Sequence, residues 1–385
     1  MLQNKIILLF VLLGLIVSSC IKPYDPKITG SDAKKYVVSG GIDDSDSNQI
    51  VNITMTSSIS DPKYLPVAGC IVVIINDKGI EFPLTDIGDG DYSTVIDRGF
   101  MTPGASFMVD ILSPSGERII SGYDTLTPCP KVDSIYYIRE DIEGAEPGEF
   151  TLGIQFYVDF YGAMTDSRFY RLEVTETFEH HAVYPLEWYY DGEVHHVVPP
   201  DYSRFVCWTT NKIQKFFPFS TINLTENQFN KLPLQYVNNR SSRLMYGYSM
   251  LVKQYSLSDQ AFIYFDQLSI NNSQEGGLYE TQPLAIRGNM MNLTNPENEV
   301  LGYFSVSSTN EKRIFVSNVP DLPLDFPTYC DLRVIRYPFK EFRPKDYPVF
   351  LLGDAGTWYP IQLNEECINC LKLGGTTVKP DFWPY

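Results

Sequence analysis

Along much of this chain apolar and polar side chains alternate one by one. Val51, Ile53 and Met55 alternate with Asn52, Thr54 and Thr56, the two-residue period of a strand with one buried face. Residues 70–75 are continuously apolar, the pattern of a strand inside a sandwich core. Short runs at 36–42, 79–84, 90–96, 106–112 and 117–123 follow the same habit. Turn clusters separate them: Asn76-Asp77-Lys78-Gly79, Gly88-Asp89-Gly90, Pro103-Gly104 and Ser113-Pro114-Ser115-Gly116. Roughly seven short, regularly spaced strands predict an immunoglobulin-like β-sandwich over residues 36–127.

The Thr-Leu-Thr-Pro-Cys-Pro stretch at 125–130 marks a boundary, and a second, larger antiparallel β domain is expected over 128–385. Phe150, Leu152, Ile154, Phe156, Val158 and Phe160 alternate without a break. Tyr170, Leu172 and Val174 repeat the pattern against Arg171, Glu173 and Thr175, and Leu244, Tyr246, Tyr248, Met250 and Val252 do so again. Further strands are expected at 278–286, 300–306, 312–317 and 332–336. One helix is predicted over 258–271, where Ser256 or Ser258 caps a segment carrying Leu257, Ala261, Phe265 and Leu268 at helical spacing. A shorter helical turn is expected at 225–232. The fold class is thus mainly β, a sandwich followed by a sandwich or barrel with one or two short helices.

Residues 1–19 behave differently. Lys5 precedes an apolar run from Ile6 to Val17, then Ser18, Ser19 and Cys20. The run falls short of the roughly 20 residues that span a bilayer and fits a secretory signal. Its Val-Ser-Ser-Cys ending resembles a bacterial lipobox, which implies cleavage before Cys20 and acylation of that residue. Acyl chains contribute about 0.8 kcal/mol per buried methylene, enough when several are present for stable anchoring. Residues 20–35 form a polar tether able to extend about 50 Å at ~3.3 Å per residue. The anchored body is expected to face the cell exterior rather than the periplasm.

Export changes how the other cysteines read. Cys70, Cys129, Cys207, Cys330, Cys367 and Cys370 are even in number, as expected of disulfides in an oxidising compartment. Cys367-Ile368-Asn369-Cys370 is a C-x-x-C whose own small-loop disulfide competes with a zinc half-site and a redox pair. The flanking Gly- and Pro-rich tail offers neither a thioredoxin-like context nor two more metal ligands. Position along the chain then pairs Cys70 with Cys129 and Cys207 with Cys330.

A formal charge of -17 without a basic stripe argues against nucleic acid as a partner. Hydrophobic residues at 44% are too many for a disordered chain. His180-His181 and His195-His196 are the only histidines; neighbours on a strand face opposite ways, so each pair offers one ligand per face and no metal site is expected. Asp86, Asp89 and Asp91 depart from the calcium-loop pattern and read as a glycine-assisted hairpin turn. The acids Glu140, Asp141 and Glu143, and Glu365-Glu366, read as solvated faces. No G-x-S-x-G elbow, phosphate-cradling glycine loop or H-E-x-x-H is present; neither enzymatic activity nor a cofactor is expected. The aromatic surplus, 26 Tyr and 23 Phe with 4 Trp, makes Trp188, Tyr190 and Phe217 candidate binding aromatics, with core or interdomain packing as the competing explanation. Asp124-Thr125-Leu126 and Asp133-Ser134-Ile135 match an Asp-Ser/Thr-apolar pattern for O-glycosylation at Thr125 and Ser134.

Three stretches carry a family resemblance: YSMLVKQYSLSDQAFIYFDQL at 248–268, QPLAIRGNMMNLTNPENEVLGYFSVSSTNEKRIFV at 282–316 and CINCLKLGGTTVKPDFWPY at 367–385. With the lipobox and the N-terminal β domain, they resemble the Bacteroidetes lipoprotein family called domain of unknown function 4249 (DUF4249). The resemblance implies an outer-membrane lipoprotein associated with a TonB-dependent receptor in nutrient uptake, and it brings no catalytic residues. A stand-alone surface module binding glycan or peptide is the alternative, and an adhesin or fimbria-like subunit a second one.

Overall fold

The alternating segments become strands where their period places them. The computed structural model describes residues 34–44, 48–58, 61–144, 148–213, 217–273, 286–325, 330, 339, 342–354, 357–360 and 365–384. The chain divides into residues 1–34 with 57–63, and a main unit of Lys35–Thr56 with Tyr64–Tyr385. In the small unit, Lys63 N donates to Ser57 Oγ at 3.0 Å. All that follows concerns the main unit. Among its described residues, strands form five open sheets, none closed into a barrel, with one α-helix.

Sheets I and II enclose the first core. Sheet I runs in the order Leu301–Ser307, Tyr36–Asp43, Asn48–Met55, Asp91–Val95, Thr85–Gly88. Sheet II runs Met290–Asn292, Arg118–Ser121, Ser106–Leu112, Ile71–Asn76, Glu81–Pro83. Inward positions such as Val38, Val51, Ile53, Ile74, Phe107, Ile111 and Phe304 are fully buried, each contributing roughly 1.5–3 kcal/mol. The apolar run at 70–75 is buried on one face only: Val72 and Ile74 point inward, while Ile71 is 64% exposed.

The boundary expected at 127/128 does not contain this core. Leu301–Ser307 pairs in parallel with Tyr36–Asp43, from Val37 opposite Leu301 to Asp43 opposite Ser307. Met290–Asn292 extends sheet II beside Arg118–Ser121, and Met290, Val300, Phe304 and Val306 join the first core. Without this return, Tyr36–Asp43 would present an unpaired edge.

Sheets III and IV enclose the second core. Sheet III is Val132–Glu143, Phe150–Tyr161, Gln228–Asn238; sheet IV is Val206–Lys212, Phe169–His181, Gly247–Ser256, Thr309–Val316, with Phe217–Ser220 also pairing Phe169–His181. Ile154, Phe156, Val158 and Phe160 meet Tyr170, Leu172, Val174, Tyr248, Met250 and Val252 across it. The helical turn expected at 225–232 is absent. Gln228–Asn238 is a strand on the second edge of Phe150–Tyr161, and Leu234 and Val237 are buried in the core; tertiary pairing overrides the local preference. Helix Asp259–Ser273 forms where predicted, with Ser258 Oγ accepting from Ala261 N at 3.2 Å. The expected strands at 278–286 and 332–336 lie almost wholly or wholly outside the described residues. Sheet V (Val194–Asp201, Leu186–Tyr190, Val349–Asp354, Thr357–Pro360) contains the hairpin around Asp191-Gly192.

Gly302 is what lets the returning strand approach. Its φ is +103°, and a Cβ there would lie 1.8 Å from Val38 O. Gly302→Ala should lower unfolding free energy by more than about 2 kcal/mol in denaturant titrations. Gly104→Ala, at φ +90° with nothing within 4 Å, should cost clearly less. Equal losses would show that the parallel pairing contributes nothing special.

Candidate functional site: a cleft where the two cores meet

Because Tyr170, Leu172 and Val174 turn inward, Arg171 and Glu173 turn outward on sheet IV. Register sets Arg171 opposite Tyr255 and Glu173 opposite Lys253. Lys212 on the next strand stands opposite Thr175, one diagonal step from Glu173. Arg171 Nη1 reaches Glu173 Oε1 at 2.6 Å and Lys212 Nζ reaches Oε2 at 2.8 Å. Burial alone would raise the Glu173 carboxyl, but the opposing charges of Arg171 and Lys212 prevail and hold it at about 2. The Arg171 guanidinium lies between two rings, 4.3 Å from the centre of Tyr255 and 4.7 Å from that of Phe265 on the helix.

Sheet I supplies the facing wall. Val38, Ile42, Phe304 and Val306 enter the first core, which leaves Ser39, Gly41, Ser305 and Ser307 on the opposite face. These small side chains leave space, and the result is a cleft of about 660 Å³, within the roughly 300–1,000 Å³ of small-molecule sites. Lys253 Nζ crosses it to Asp43 Oδ2 at 2.9 Å. Tyr264, Phe265 and Leu268 close one end from the helix. The cleft combines hydroxyls, an ion network and aromatic faces, a set suited to binding.

The sequence-predicted aromatics lie elsewhere. Phe217 is not a surface group but sits in the second core. Trp188 and Tyr190 are half-buried in sheet V. Trp188 stacks on His196, its register partner, at 3.6 Å and 3°; Tyr190 packs against Phe339 and Tyr347. The histidines serve as ring partners: His195 stacks on Tyr189 and His181 on Tyr246. Among the described residues no group of three or more His, Cys, Asp or Glu is placed to hold a metal ion. Asp86 caps its hairpin, and the donating amides of Gly69 and Gly88 hold its carboxyl below the usual range. The Thr125 hydroxyl is shared with Ser106 Oγ at 2.8 Å and that of Ser134 donates to Asp159 at 3.0 Å. Cys20 lies outside the described residues.

None of the expected cysteine pairings forms: four of the thiols pair differently and Cys70 and Cys129 stay unbonded. Cys207 bonds Cys370 and Cys330 bonds Cys367, each with Cα atoms 5.7 Å apart. Two short 3-10 turns, Glu365–Cys367 and Cys370–Leu373, send the neighbouring thiols into separate apolar clusters. Cys370 joins Cys207 and Ala182, and Cys367 joins Cys330, Tyr184 and Phe350. Cys70 and Cys129 are free thiols in different surroundings. Cys70 lies in the first core; Cys129 lies against Gln254, and burial raises it to about 12, which makes it a poor nucleophile.

These bonds tie down a C-terminal strap. Trp208 N donates to Thr376 O at 2.8 Å and Thr376 N returns to Trp208 O at 2.9 Å. Trp383 donates to Glu179 Oε2 at 3.1 Å and covers Gly247, where a Cβ would meet its ring at 2.8 Å. The strap thus occupies one end of the outer face of sheet IV, and the cleft the other. The sequence places Arg171 and Glu173 on one strand face and Phe265 on the helix, but assigns no site role to them or to Lys212 and Tyr255.

Breaking Cys207–Cys370 with Cys370→Ser should expose the tail beyond residue 370 to limited proteolysis and lower thermal stability; an unchanged digest would contradict the strap. His180 is buried with Nε2 3.3 Å from Cys370 O, and burial lowers its pKa from the ordinary 6.5. The unfolded chain therefore takes up the proton first, so stability is full above about pH 6.5 and declines as pH falls below it. Denaturation curves at several pH values should show this decline, and His180→Gln should flatten it.

Among solved structures, a DUF4785 family protein from Legionella pneumophila is similar at 11% identity and a TM-score of 0.16, over 57% of this chain and 52% of that one. Trypsin-activated alpha-2-macroglobulin from Escherichia coli is similar at 7% identity and a TM-score of 0.18, over 59% of this chain and 15% of that one. The chain thus spans about half of the first and a small part of the second, and likeness this low carries no inference. No curated protein matches the sequence. The family model described as domain of unknown function (DUF4249) matches residues 21–313. This protein belongs to the DUF4249 family.

Proposed function

We propose that this protein is an outer-membrane lipoprotein, anchored through acylated Cys20 and exposed on the cell surface, that serves as a non-enzymatic accessory to a TonB-dependent receptor in nutrient uptake. The observation that carries this reading is the N-terminal sequence: one cation, an apolar run too short to span a bilayer, and Val-Ser-Ser immediately before Cys20. The disulfides Cys207–Cys370 and Cys330–Cys367 fit an oxidising compartment and support export. Lipid anchoring confines the body to two dimensions and raises its effective concentration beside a membrane channel. The cleft between sheets I and IV then offers cargo a holding site next to the point of entry.

A second reading, a stand-alone glycan- or peptide-binding module, draws on sheet V, where Trp188, Tyr189 and Tyr190 remain half-buried and the first two stack on His196 and His195. Crosslinking in native membranes, gentle solubilisation and capture of the protein separate the two. The accessory reading expects a β-barrel receptor in the captured material, diminished for Cys20→Ala, which should also fail to incorporate labelled fatty acid. Repeated capture without any barrel receptor would refute the accessory role.

A further inference from the structure

The cleft contains three described cations, Arg171, Lys212 and Lys253, but only two described carboxylates, Glu173 and Asp43, in a protein whose formal charge is -17. Among the described residues Glu173 alone pairs with both Arg171 and Lys212. Arg171 Nε is buried without a hydrogen-bond partner, and Lys212 is 58% exposed on the side chain, so its remaining donors are open to an arriving group. Two cations held by one carboxylate leave room for a second anion, and charged groups that meet one in a partly desolvated cleft bind it more strongly than they would in water.

The rest of the lining specifies what carries that anion. Ser39, Ser305 and Ser307 present hydroxyls on the sheet I wall, suited to partners rich in donors and acceptors. The helix supplies Tyr264 and Phe265, whose ring faces accept the apolar face of a saturated ring. We infer that the cleft between sheets I and IV is a binding site for an acidic sugar, its carboxylate set against Lys212 and Arg171, its hydroxyls toward the serine wall and one ring face on the helix aromatics. Arg171, clamped between Tyr255 and Phe265, is a fixed part of the site, and Lys212 is the adjustable one. The inference stands on the cleft and not on association with a receptor.

Calorimetric titration of the full mature protein tests it, with D-glucuronate as the probe, D-glucose as the neutral sugar and phenylacetate as an acid without hydroxyls. Glucuronate should bind, more weakly as salt rises, with glucose and phenylacetate at least about tenfold weaker. Lys212→Gln, at an exposed strand end with Arg171 still paired to Glu173, should remain folded with a cooperative melt and lose about tenfold in glucuronate affinity. Absence of binding by glucuronate, equal binding of glucose, equal binding of phenylacetate, or unchanged affinity in a folded Lys212→Gln would each overturn the assignment. Failure here would leave the receptor crosslinking result untouched, because the titration involves no second protein.

Discussion

One extended segment, residues 301–316, belongs to both β cores, and the arrangement of the main unit depends on it. Its first half is the parallel strand Leu301–Ser307 that completes sheet I, and its second half is Thr309–Val316 in sheet IV. The crossing at Ser308 is pinned by reciprocal bonds with Ser256, N to O and N to Oγ at 3.0 Å each. Asp44 Oδ1 accepts from Thr309 N at 2.7 Å and the buried Asp124 accepts from Val306 N at 2.8 Å. Every one of these partners is remote in sequence, so the crossing forms only when both cores are in place. Such long-range closure costs chain entropy before it gains contacts, and the carboxylate-to-amide bonds at the crossing offset part of that cost.

The cleft follows from this crossing. A strand that leaves sheet I for sheet IV brings residues of both sheets around one cleft. Small residues at Ser39, Gly41, Ser305 and Ser307 keep the gap open, while Lys253 and Asp43 bridge it at 2.9 Å. At the other end of sheet IV the C-terminal strap, with Trp383 and Phe382, covers the same kind of surface. The Cys207–Cys370 bond holds that strap to an edge strand, where backbone groups would otherwise be open to another chain.

Much of the architecture is legible in the sequence. Period-two alternation placed Val51, Ile53, Ile154, Phe156, Tyr170 and Leu172 in the cores correctly, because on a strand the face a side chain takes is a local property. Ser258 announced the helix for the same reason. Residues 225–232 differ from their expected helical turn, and Phe217 takes the core place that competed with a binding role, since a run of aromatics and a polar segment look alike on a surface and in a core until their strand partners are known. The cleft residues went unnoticed although Arg171 and Glu173 visibly shared a face; nothing local said that Lys212, 39 positions downstream of Glu173, would share it too.

By itself the sequence determined the strand-rich fold class, the inward and outward faces of most strands, the helix cap, and the turns at Asp86–Asp91 and Asp191-Gly192. These depend on stereochemistry within a few residues. Only the tertiary structure decided which thiols pair, that Leu301–Ser307 returns to sheet I, and that cations from three strands gather round Glu173. Pairing between distant segments is settled by the packing of whole sheets and by the cost of leaving an edge, a thiol or a charge without a partner, and no short stretch of sequence contains that information.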